Sequence, residues 1–190
     1  MAKKQSKQSE LTYEHLATGI NIRNAKICSD CVYRIYATEK QTVTLGTGNI
    51  HSNFIFILPT YDLKSKIGYD NLLSLLANTY HSIIGRSIFE DIYITRLVKC
   101  SNKAEHNVYQ SAVNCCDKYL IYEMNRLAGK HIVFFGSSYD DYYNNNCNTV
   151  GTHPQFKTIH RLYSPAVMFY DNDKIKQKFI DDLSIILSYN

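Results

Sequence analysis

Tryptophan is absent from this chain, and no apolar run is longer than Phe54-Ile55-Phe56-Ile57-Leu58. A membrane-spanning helix needs about 20 consecutive apolar residues, so the sequence predicts no membrane segment. The N-terminus also lacks the apolar stretch of an export signal: Met1 to Glu10 carries Lys3, Lys4 and Lys7 among Gln and Ser. Residues 1–20 read as a flexible, solvated basic tail, with a short phosphate-touching arm as the second reading. Without an export signal the expected location is the cytoplasm, a reducing compartment where clustered cysteines more often bind metal than form disulfides. Charge of neither sign dominates. The net charge is +4 with 20% charged residues, which excludes a disordered polyelectrolyte. A pI near 8.6 permits a nucleic-acid partner without demanding one. The 190 residues, 45% of them apolar, are enough for one domain with a true core. The 16 tyrosines beside no tryptophan follow the bias of an AT-rich coding sequence and carry no functional reading.

Helix-like and strand-like segments alternate. Phe54–Leu58 ends at Pro59 and reads as a buried strand. Asp70 to Ile84 has Leu72, Leu73, Leu75, Leu76, Tyr80, Ile83 and Ile84 at helical spacing. Asp91–Lys99, rich in β-branched and aromatic residues, reads as a second strand. Val108 to Leu127 is a helix with Ala112, Cys116, Tyr119 and Leu120 on one side and Gly129 as its cap. His131–Phe135 and Thr158–Tyr163 are further strands, and Asn172 to Leu187 a last helix. Such alternation predicts an α/β fold: a three-layer α/β/α sandwich around a central, mainly parallel four-stranded sheet. In sheets of this kind ligands bind beyond the carboxyl ends of the strands. Ser137–Lys157, rich in Asn and Tyr, reads as a long loop around that site.

Six cysteines occur: the pair Cys28-Ser29-Asp30-Cys31, then Cys100 after the second strand, Cys115 and Cys116 on the next helix, and Cys147 in the Asn-rich loop. Four thiolates drawn from three places suit zinc or a four-iron cluster equally by chemistry alone. Small buried apolar cysteines are the competing reading.

The segment Ile92–Leu120, IYITRLVKCSNKAEHNVYQSAVNCCDKYL, resembles the iron–sulfur uracil-DNA glycosylases, whose pattern there is a T-N-v-v-K-C strand end followed by a helix bearing C-x-x-Y-L. Gly46-Thr47-Gly48-Asn49 resembles the family's G-E-G-N turn, and Tyr163-Ser164-Pro165-Ala166 its Y-H-P-S. The resemblance spans nearly everything from Cys28 to Leu187 and implies one glycosylase-like domain over 21–190, of a divergent, viral or phage kind. It also implies a [4Fe–4S] cluster on Cys28, Cys31, Cys100 and Cys116, with zinc as the alternative metal. Cys116 is selected over Cys115 by C-x-x-Y-L, and Cys115 and Cys147 are left as spares.

At the same matched positions the chemistry departs from the family. Pro59 stands where the family has the acid that orients or activates water, and a proline side chain can neither accept a proton nor position a water. Asp62 is the nearest carboxylate. Arg96 stands where an asparagine reads the uracil edge, and arginine offers donors only. Ser164 replaces the histidine that stabilises the leaving base. Tyr61 or Tyr69 is the candidate ring to stack on a base. Lys99, Lys103, Arg161, Ser164 and Pro165 are the expected DNA contacts.

These departures predict a DNA-associated iron–sulfur protein with degenerate catalytic motifs, an accessory factor in replication or repair with a replication or repair protein as a further partner. Two alternatives accompany it. One is an active glycosylase for uracil or another modified base, with a rebuilt site. The other is an interaction subunit, for instance of a polymerase complex, with no DNA contact of its own.

Overall fold

The computed structural model describes residues 21–23, 42–99, 106–127, 131–143 and 158–189. In chain order the elements are β1 (Asn21–Arg23), β2 (Thr42–Thr44), β3 (Thr47–Gly48), β4 (Phe54–Leu58), β5 (Tyr61–Asp62), β6 (Ile67–Gly68), α1 (Tyr69–Ile84), α2 (Ile88–Asp91), β7 (Tyr93–Arg96), α3 (His106–Arg126), β8 (His131–Phe135), α4 (Ser138–Tyr143), β9 (Thr158–Leu162), a 3-10 turn (Pro165–Phe169) and α5 (Asp173–Leu187).

The main sheet runs β3-β7-β4-β8-β9. Its four long strands are mutually parallel, as the alternating pattern predicted, and the two-residue β3 adds an antiparallel edge on β7. β1 pairs with β2, and β5 with β6, as separate two-stranded ribbons.

The run FIFIL is fully buried because helices cover both faces of the sheet. Side chains alternate across the pleat. Ile55 and Ile57, with Ile132 and Phe134 of β8, join Ala112, Val113, Cys116, Tyr119 and Leu120 of α3 in one core. Phe54, Phe56 and Leu58, with Val133 and Phe135, join Leu72 and Leu76 of α1 and Phe179 and Leu183 of α5 in the other. Two cores on opposite faces of one sheet make the three layers.

The second strand is shorter than its β-branched composition suggested. Ile88–Asp91 forms a helical turn that buries Ile88, and only Tyr93–Arg96 pairs in the sheet. The segment read as one loop from Ser137 begins with a helix, α4, whose Tyr139 and Tyr142 lie on Phe134 of β8. Gly129, the expected cap of α3, lies outside the described residues, as do Cys147 and the tail 1–20.

The Gly46-Thr47-Gly48-Asn49 turn has a steric cause. Gly48 has φ +103°, and a Cβ there would collide with the Ile92 carbonyl oxygen. The turn then docks by Asn49 N–H donating to Ile92 O at 3.1 Å and Asn49 Nδ2 donating to Glu90 O at 3.0 Å. Gly48→Ala is expected to lower stability by about 1–3 kcal/mol through left-handed strain and loss of the β3 edge. Urea melts at unchanged m-value would measure it, and a neutral result would mean the turn tolerates a Cβ.

Candidate functional site

β4, β7, β8 and β9 all deliver their carboxyl ends to one edge of the sheet. Leu58 and Arg96 are partners in the β4–β7 register, and Pro59 follows Leu58 at the same end of the sheet. Thr60 binds the two loops together: its hydroxyl donates to Val98 O at 3.0 Å and accepts from Val98 N–H at 3.1 Å. On the other side, Gly136 N–H donates to Leu162 O at 2.9 Å. Gly136 has φ +62°, and a Cβ on it would lie 3.0 Å from the Ser164 Cβ. The loops after β8 and β9 are therefore pressed together.

Each sequence-predicted residue can now be placed. Pro59 is buried and offers no proton-carrying group. Asp62 is 9% exposed, and its Oδ1 accepts from Lys64 N–H at 3.0 Å and Ser65 N–H at 2.9 Å. It caps the β5–β6 turn rather than facing solvent from a loop. Tyr61 is half-buried in the same ribbon. Ser164 is buried and caps the 3-10 turn, its Oγ accepting from Ala166 N–H at 3.3 Å. Pro165 follows as a buried first residue of that turn. His160 is no substitute for the histidine absent at 164. It sits within β9 against His131, ring nitrogens 3.2 Å apart.

Arg96 lies on the α1 side of β7. Its guanidinium stacks over the Tyr69 ring, 4.6 Å from the centroid. Burial pushes the half-buried Tyr69 phenol up to about 12, against the pull of the Arg96 charge. Tyr69, rather than Tyr61, is thus the ring beside the arginine.

Lys99 requires a correction. Expected as a DNA contact, it is wholly buried and ion-paired with the equally buried Glu123 of α3. Burial pulls the Lys99 ammonium below its ordinary range while Glu123 opposes the shift. A side chain so enclosed cannot reach a phosphate. Glu123 gathers further donors: Gly46 N–H at 2.6 Å, the Tyr93 hydroxyl at 2.9 Å and the Thr95 hydroxyl at 3.0 Å. This carboxylate is the residue the sequence reading missed. Its signal was present: Glu123 lies seven residues after Cys116, on the apolar face of α3.

Arg161 remains an exposed cation, but Asp140 holds its Nη2 at 2.6 Å and the guanidinium stacks over Tyr139 at 4.0 Å. Lys103 lies outside the described residues. Beyond β9, Tyr163 and Phe169 are exposed aromatics that the sequence reading did not single out.

Of the four expected ligands, Cys116 is described, and Cys28, Cys31 and Cys100 are not. Cys116 is buried, with its Sγ accepting from Lys99 N–H at 3.4 Å, whereas Cys115 is half-buried. Thr44 N–H at the end of β2 donates to Lys99 O at 2.7 Å. Lys99 immediately precedes Cys100, and Cys28 and Cys31 lie in sequence between β1 and β2. Both hydrogen bonds of the Lys99 backbone therefore lead to elements bearing or flanking the other cysteines, an arrangement that fits a shared thiolate site. Among the described residues no three His, Cys, Asp or Glu side chains gather as metal ligands.

Residues 41–184 match the family model of the uracil DNA glycosylase superfamily. The fold is similar to the crystal structure of wild-type SMUG2 from Pedobacter heparinus, with a TM-score of 0.51 and 13% sequence identity, over 73% of this chain and 76% of that chain. At that identity the likeness concerns the fold. Comparison with curated protein sequences gives no match.

Proposed function

The chain belongs to the uracil-DNA glycosylase superfamily, and from that premise we propose that it is a DNA-binding accessory protein of replication or repair that does not excise uracil. What supports the reading is the set of side chains at the positions that the sequence matches to the family's catalytic groups. Pro59 has no acid, Arg96 has only donors, and the Ser164 hydroxyl caps its own turn.

DNA contact rests on the superfamily premise and on what remains at the surface. Arg161 is exposed, and the exposed Tyr163 and Phe169 that follow β9 offer rings of the kind that stack on bases. The decisive measurement is paired. Fluorescence anisotropy with labelled single-stranded and duplex DNA is expected to show affinity falling steeply with salt. A uracil-bearing strand treated with alkali after incubation is expected to stay intact. Salt-independent or absent binding would favour an interaction subunit. Arg161→Ala should weaken binding and reduce the salt slope by about 1.

A [4Fe–4S] cluster on Cys28, Cys31, Cys100 and Cys116 is part of the proposal, and a reducing cytoplasm would keep those thiols available. The cluster would tie the segment between β1 and β2 to the end of β7. The N–H donated to Cys116 Sγ is the kind of contact that stabilises a ligating thiolate. Protein purified without oxygen is expected to be brown, with iron and sulfide in equal amounts. Cys116→Ser should lose the colour and Cys115→Ser should keep it. Stoichiometric zinc without iron would replace the cluster with the alternative metal.

A further inference from the structure

At the strand ends Arg96 is a buried cation that, among the described residues, forms no ion pair. Arg96 is 7% exposed, yet among the described residues its only partner is the face of Tyr69. A ring face offsets part of the cost of burying a guanidinium but satisfies none of its five N–H donors. Of the buried carboxylates, Glu123 is already shared among Lys99, Gly46, Tyr93 and Thr95, and Asp62 Oδ1 accepts two backbone amides of its own turn. Buried charges are ordinarily paired, and a buried guanidinium without an acid points to an acceptor supplied from outside.

A second feature converges on the same spot. Tyr69, the residue under the guanidinium, is the first residue of α1. This 16-residue helix starts at Gly68, which has no side chain to cap it. Tyr69 N–H donates to Thr60 O at 2.9 Å. The next amides, of Asp70 and Asn71, have no acceptor within the helix. The positive end of the helix dipole and a buried arginine therefore meet at Tyr69, a combination that favours an oxyanion. Asp70, the acid of that first turn, is exposed.

We propose that Arg96 and the N-terminus of α1 form an oxyanion site, which takes a phosphate or carboxylate of the ligand where the family's asparagine would read a neutral uracil edge. The inference rests on the reading of the strand ends as the ligand crevice. Planar bidentate binding by the guanidinium suits either anion. The two sources differ: the phosphate would come from a nucleotide or a DNA terminus, the carboxylate from a carboxylated pyrimidine.

Calorimetric titration and thermal shift on the whole protein test it, with inorganic phosphate, deoxyuridine, deoxyuridine monophosphate and 5-carboxyuracil as probes. Phosphate should raise the melting temperature beyond chloride at matched ionic strength, and neutral deoxyuridine should bind no better than background. Preference for the monophosphate identifies a phosphate site. Preference for 5-carboxyuracil identifies a base carboxylate. Arg96→Gln should weaken the preferred anion about 10- to 100-fold, with Arg96→Lys intermediate because the charge stays and the fork is lost. Circular dichroism checks the fold of each variant. Equal shifts with phosphate and chloride in the wild type, or anion binding unchanged in a folded Arg96→Gln or Arg96→Lys protein, would overturn the site. DNA binding measured in parallel separates the two readings. Anion binding without DNA binding supports the site and removes the DNA-binding proposal. DNA binding without an anion effect removes the site alone.

Discussion

Lys99→Met should lower the stability of the protein by about 3–5 kcal/mol, the usual penalty for leaving one member of a buried ion pair alone. Both partners of the Lys99–Glu123 pair are fully shielded from solvent. Glu123 joins four parts of the fold: the turn before β3 through Gly46, strand β7 through Tyr93 and Thr95, the segment after β7 through Lys99, and its own helix α3. Removing the ammonium leaves a carboxylate among hydroxyls and one amide, with no cation in contact. Adding Glu123→Gln should recover most of the loss, because the amide oxygen still accepts from Gly46 and Tyr93 and no charge remains. Urea unfolding of the single and double variants measures this. A single-variant loss below about 1 kcal/mol, the range of a solvated pair, would mean that water reaches the site. The salt dependence of DNA binding should be unchanged in any folded Lys99 variant, since a buried ammonium releases no counterions from phosphates.

Lys99 also shows where reading the sequence stops. Its position after a strand suggested the DNA side, and a lysine at a strand end is normally solvated. What buried it was a carboxylate 24 residues later on α3, a contact set by tertiary packing. Local pattern was enough where burial is periodic. FIFIL, HIVFF and the helix faces of α1, α3 and α5 obey the alternation of a sheet covered on both sides, so the layers were legible. The helical turn at Ile88–Asp91 was not, because four residues are too few for a period, and β-branched neighbours masked it. The glycines of the Gly46–Asn49 turn were recognised by resemblance, and the structure supplies their cause at Ile92 and Ile94. Among the site residues, the strand register pairs Leu58 with Arg96 and so brings Pro59, the next residue, to the same end of the sheet. Asp62 and Ser164 are engaged with their own backbone turns, which no side-chain inventory reveals.

Uracil excision is expected to be near background, and the reason is chemical. Departure of a base needs an acceptor–donor partner for its edge, a donor for the oxyanion that develops on it, and a group that places water. Losing one oxyanion donor alone typically costs about 10²–10³ in rate. Here Ser164 occupies that position with a hydroxyl already accepting from Ala166 N–H, and its O–H is shorter in reach than an imidazole. Asp62 is not a ready replacement for the missing acid, since its Oδ1 holds two backbone amides of the β5–β6 turn. Freeing it would unmake that turn. Arg96 would favour a negatively charged ligand over the neutral base before cleavage, which stabilises the wrong end of the edge-reading step. Single-turnover assays on uracil in single strands and in mismatched duplexes, with alkali cleavage as readout, should give rates indistinguishable from buffer. Robust excision abolished by Ser164→Ala or Asp62→Ala would reverse the conclusion, because those turns would then have to open to do chemistry. If excision survived both substitutions but failed in Arg96→Gln, the arginine would be stabilising the departing uracil anion, and the crevice would be a rebuilt active site.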